Sequence, residues 1–164
     1  MTGSRDADPP GAPPPASSRR LGSGDPLRSV WRSPVRREVA VLVGVAVVVQ
    51  LVFPYRHDWP AHLVAGGGLV LIVASAVPRR FSTAAGLVGY GVVFSFGWIT
   101  ERLVFGPPDT VDVAFTLAGA LVAFQAAGDI AGGAAPLRRA GVAWGAALIV
   151  VGLAFRYGTS VGPT

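Results

Sequence analysis

The stretch Asp58-Trp59-Pro60-Ala61-His62-Leu63-Val64-Ala65-Gly66-Gly67-Gly68-Leu69-Val70-Leu71-Ile72-Val73-Ala74-Ser75-Ala76-Val77 decides the fold. After His62 it carries no ionisable side chain, and its apolar residues follow one another without the polar intervals of an amphipathic surface helix. From Pro60 to Val77, at a rise of about 1.5 Å per residue, it reaches roughly 27 Å. That is enough for a hydrocarbon core of about 30 Å with local thinning or snorkelling. The stretch reads as a membrane span with an acid and an imidazole at its start. Ionisable groups at membrane depth are expensive, so their presence points to a functional site.

Working outward, four more apolar segments flank this one: Glu38 to Tyr55, Thr83 to Phe105, Asp112 to Ile130, and Ala140 to Tyr157. Pro54, Pro60, Pro78, Pro107-Pro108 and Pro136 are expected between the spans, where a helix must stop or start. With 51% hydrophobic and 14% charged residues, the expected fold is all-α, a polytopic membrane helix bundle of about five transmembrane helices.

Residues 1–36 form an Arg- and Pro-rich head, including Pro13-Pro14-Pro15, with too little apolar surface to order itself; it is expected to be a disordered tail. The first apolar run begins only at Val39, too late for a cleavable signal peptide, so the tail is expected to stay attached. Residues 37–158 then make the transmembrane domain, and 159–164 a short tail. Eleven arginines fall on the side of the head and of the second and fourth connections, against Arg56, Arg102 and Arg156 on the other. The positive-inside rule places the N-terminus in the cytoplasm and the C-terminus outside. All 14 basic residues are Arg, a usage expected of a GC-rich bacterial gene.

In this topology Asp58, His62, Glu101, Asp109 and Asp112 gather at the extracytoplasmic edge. Asp109 with Asp112 reads as an N-cap followed by an acidic third residue, and Asp58 as a cap of its own span. His62 and Glu101 either pair with each other across spans 2 and 3 or hold a ligand. Arg102 points about 100° away from Glu101 and is expected to reach lipid headgroups. Three stripes are expected to face the bundle: His62, Ala65, Gly66 and Leu69 in span 2; Gly86, Tyr90, Phe94, Gly97 and Glu101 in span 3; Asp112, Thr116, Gly119, Ala120 and Ala123 in span 4.

Other chemistries find little support. There is no Cys, which removes disulfides, thiol nucleophiles and Cys-bound metals. Carboxylates and imidazole suit zinc or manganese, but His57 and His62 do not share a helical face and no HExxH spacing occurs, so metal and cofactor are left unassigned. No phosphate-cradling GxxxxGK is present; Gly66-Gly67-Gly68 lies mid-span and is expected to serve packing.

Taken in order, Asp58-Trp59-Pro60-Ala61-His62, Gly97-Trp98-Ile99-Thr100-Glu101 and the stretch from Asp109 through Asp112 and Thr116 to Leu121 resemble the VanZ-like family of small bacterial membrane proteins. The family is similar in an Asp-x-x-x-His start to one span, a Glu late in a following span, and a closing Asp-x-x-Asp-x-x-x-Asn-x-x-Gly. Trp59 stands where the family usually has Lys, and Thr116 where it usually has Asn. The resemblance implies a cell-envelope setting and a link to glycopeptide antibiotic resistance.

Function is therefore expected at the polar edge: binding of a lipid headgroup, an envelope component or a partner through His62, Glu101, Asp112, Asp58, Asp109 and Thr116. The alternative is an enzyme acting on a lipid or lipid-linked envelope precursor, with Glu101 or Asp112 as base and His62 as acid. A transporter or proton relay fits less well, because the inner half offers only Asp129. Expected partners are the bilayer and such a precursor; Gly141 and Gly145 offer either a face for a second copy of the chain or, at least as often, packing within it, and nucleic acid is not expected.

Overall fold

The computed structural model describes residues 35–100, 102–103 and 109–158. Among them every regular element is helical: α1 (Val35–Val52), α2 (Asp58–Ala76), a 3₁₀ segment (Arg79–Ala84) running into α3 (Ala85–Thr100), α4 (Thr110–Val122), α5 (Phe124–Gly132) and α6 (Ala135–Gly158). Three helical stretches, Asp58–Ala76, Arg79–Thr100 and Ala135–Gly158, are long and apolar enough to cross a membrane. The pair α4 and α5 would make a fourth if counted as one bent span. The expected head and C-terminal tail lie outside the described residues.

α2 is the axis of the bundle. Consecutive helical residues point about 100° apart, so three adjacent glycines can admit three different neighbours. A methyl group on Gly66 would overlap the Thr116 carbonyl of α4; on Gly67 it would come to 2.5 Å of the Leu42 side chain of α1; on Gly68, to 2.6 Å of the Gly145 carbonyl of α6. The triplet thus serves packing, as expected. Gly119 of α4 answers Gly66, since its own added methyl would overlap the Leu63 carbonyl of α2. Small residues at these crossings let backbones meet directly, which is how apolar helices gain contact where burial alone discriminates weakly. Leu42, Val64, Val70, Leu71, Ile130 and Leu148 fill the space around them.

α6 runs antiparallel to α2, with Gly141 against Ser75, Gly145 against Gly68 and Gly152 against Ala61. Its Gly141 and Gly145 are therefore covered within the chain, which is the packing role open to them alongside a dimer face. Arginines close the end of the bundle where α2 stops. Arg138 donates to the carbonyls of Ser75 and Val77 at 2.8 and 2.7 Å, and Arg79 donates to the carbonyl of Gly133 at 3.0 Å. These are last-turn carbonyls with no intrahelical partner.

Several expected boundaries move. Pro60 and Pro136 lie inside the first turns of α2 and α6, not between helices; a first-turn proline loses no hydrogen bond because that N–H has no partner there. Expected span 4 is two helices meeting at 47°. The bend sits at Ala123, whose ψ of −7° departs from the α-helical value of about −42°. The buried stripe of α3 runs Gly86, Gly89 and Val93, while Phe94 is exposed and stacks on Trp98 at 6.2 Å. Gly89 faces Val70 of α2, which rotates the expected stripe away from Phe94.

Candidate functional site at the start of α2

His62 lies in the second turn of α2, and α4 brings Asp112 and Thr116 beside it through the Gly66 and Gly119 contact. The Thr116 hydroxyl donates to the carbonyl of Asp112 at 2.9 Å, the back-bond open to Thr in a helix. A hydroxyl has one proton, so toward His62 it acts as acceptor, and the 3.0 Å contact with Nδ1 assigns a proton to that nitrogen. The other ring nitrogen, Nε2, then faces Asp112 Oδ2 at 3.6 Å. An acid and an imidazole set against each other lower the cost of holding both groups away from water. Their side chains are only 21% and 14% exposed.

His62 and Thr116 border a cleft of about 200 Å³ between α2, α3 and α4, lined also by Ala65, Phe96, Gly97 and Thr100 among others. Its walls are mostly apolar, so the imidazole and the hydroxyls of Thr100 and Thr116 are the features that would orient an occupant.

At the start of α2 sits an ionic and aromatic cluster. Arg56 lies 3.4 Å from Asp58 and 3.8 Å from Asp109, and its guanidinium rests over the Trp59 ring at 4.5 Å. Trp59 is itself stacked on Phe115 at 5.1 Å and meets Phe53 edge-on at 5.0 Å. One arginine thereby ties the loop before α2 to the start of α4.

Asp109 caps α4 as expected, accepting from the Val111 N–H at 2.9 Å. Asp112 occupies the expected first-turn position, but its side chain is directed to His62. Asp58 is not a cap: it lies in the first turn, the preceding His57 makes no side-chain capping bond, and the Asp58 carboxylate pairs with Arg56. Arg102 is exposed. Glu101 lies outside the described residues, and so does its expected pairing with His62; the partners seen come from α4. His57 turns away from the cleft, its Nδ1 meeting the Gln50 amide nitrogen at 2.9 Å. Among the described residues no three of His, Asp and Glu gather as metal ligands.

Sequence reasoning passed over Arg56, counted only as a topology charge, and the Trp59–Phe115 stack. The signal for the first was Arg56-His57-Asp58 beside a second acid at a helix start. For the stack there was none, because its partners are far apart in the chain. Comparison with models of known protein families, with curated proteins and with solved structures gave no match.

Proposed function

We propose that the chain is a five-span membrane protein whose cleft at the extracytoplasmic edge binds a lipid headgroup, an envelope component or a partner. α1, α2, α3 with its 3₁₀ lead, the bent pair α4 and α5, and α6 supply the spans. Large apolar side chains exposed on four helices, among them Leu51, Leu87, Leu121 and Val150, support a lipid-facing surface. The arginine asymmetry supports a cytoplasmic N-terminus.

One observation carries the binding reading: a half-hidden His62, fixed by Thr116 and set against Asp112, lines a cleft whose walls are mostly apolar. An apolar body with a few fixed polar atoms suits an amphiphile whose polar head is held and whose chain lies along the walls. The VanZ-like resemblance adds the envelope and glycopeptide resistance as the setting. Thr116, where that family has Asn, bonds the imidazole with its hydroxyl. Trp59, where it has Lys, carries the Arg56 guanidinium over its ring.

A second reading rests on the same geometry. An imidazole oriented at one nitrogen and facing a carboxylate at the other is arranged for proton transfer. With Glu101 as a further acid or base, the cleft would process a lipid or lipid-linked envelope precursor.

The two readings separate on turnover. Native mass spectrometry of the purified full chain should retain a bound amphiphile that His62→Ala and Asp112→Asn release, with membrane abundance unchanged. Retention of that amphiphile by both variants would sink the cleft as its site. Conversion of an added precursor, lost in Glu101→Gln and His62→Ala, would select the enzyme.

A further inference from the structure

We infer that the groove between α2 and α6 is a second site, which takes an anionic phospholipid with its phosphate on Arg156 and the start of an acyl chain along the helices. The groove encloses about 150 Å³ and is walled by Ala61 and Ala65 of α2 and by Ile149, Gly152 and Leu153 of α6. Gly152 sits on the Ala61 carbonyl, so the two backbones meet there and no side chain fills the slot beside them. A cavity of this size with apolar walls accommodates an apolar group about as large as benzene.

The polar chemistry of the groove comes from Arg156. It lies one turn beyond Gly152, in the last turn of α6, and lines the groove with His62. The polar edge of His62 is turned toward Thr116 and Asp112 on α4, which leaves the guanidinium as the group facing an occupant. Arg156 takes part in none of the ion pairs formed among the described residues, whereas Arg56 engages two aspartates. A guanidinium stays charged at any working pH and offers a planar fork that matches a phosphate. The apolar groove below it continues onto exposed Leu153 and Val150 of α6. An anion with an attached hydrocarbon chain complements both parts, and free phosphate complements only the first.

The inference rests on the membrane reading above, and alkaline extraction of membranes tests that reading by itself: release of the protein would overturn both. For a retained protein, the full chain in detergent is offered an equal mixture of phosphatidylglycerol and phosphatidylcholine and examined by native mass spectrometry. Wild type is expected to keep phosphatidylglycerol about fivefold in excess, the preference one arginine confers near a membrane surface. Arg156→Gln should bring the two lipids to parity, Arg156→Lys should keep most of the preference, and Leu153→Trp, which fills the slot, should lower retention of both. An unchanged preference in Arg156→Gln, unchanged retention in Leu153→Trp, or displacement of the lipid by millimolar inorganic phosphate would each overturn the assignment.

Discussion

The two ends of α2 use their charges in opposite ways. Where the helix stops, Arg138 and Arg79 donate to backbone carbonyls that would otherwise lack partners, so their charge is absorbed by the fold. Where it starts, side chains meet side chains: Arg56 lies between two aspartates and an indole, and His62 stands between Thr116 and Asp112 at the lip of a cleft. Charge bound to backbone holds helices in register. Charge set against other side chains beside open space can exchange one of those partners for a ligand.

The sharpest way to break this contrast is to remove the scaffold both ends share. Gly66→Val forces a branched side chain into the Thr116 carbonyl and should cost at least about 3 kcal/mol, seen as loss of folded protein in a detergent thermal melt. A folded, active variant would mean that α2 and α4 are not in backbone contact. Next in size, Arg138→Ala deletes charge-assisted bonds to two carbonyls and should cost about 2–3 kcal/mol. Ligand retention in the His62 cleft should persist in whatever fraction stays folded; a selective loss of retention would show that the two ends are coupled. Thr116→Val removes the acceptor for His62 Nδ1 and should cost about 1 kcal/mol in stability. Its larger effect is expected on cleft binding, because the imidazole loses its orientation, and equal affinity in the variant would take Thr116 out of the site. Smallest, Arg56→Gln breaks half-exposed ion pairs worth less than about 1 kcal/mol. Added salt should erase most of the difference between wild type and variant, and a salt-independent deficit would instead assign the effect to packing on Trp59.

Much of this arrangement was legible from local pattern. The run from Leu63 to Val77 could only be a long apolar helix, and Asp109 before an apolar segment could be read as an N-cap because capping is decided within three residues. The Asp112, Thr116 and Gly119 stripe followed from helical spacing, with Thr116, Gly119 and Ala120 buried. Spacing could not say which neighbour each stripe meets. Hence the Thr116 and Asp112 contacts of His62 were not foreseen, and the α3 stripe was placed through Phe94, which is exposed. The bend at Ala123 left no local mark, having neither proline nor glycine at the break.

By itself, then, the sequence determined that the described part of the chain is helical, which segments are apolar, and that Asp58, His62, Asp109 and Asp112 fall at helix starts, since each of these depends on residues within a turn or two of one another. Only the tertiary structure decided that Gly66, Gly67 and Gly68 receive three different helices, that Thr116 and Asp112 hold His62, and that Arg56 rather than a neighbouring charge bridges Asp58 and Asp109. Those are pairings between distant parts of the chain, settled by how closely backbones can approach and by which polar groups must find partners once they do.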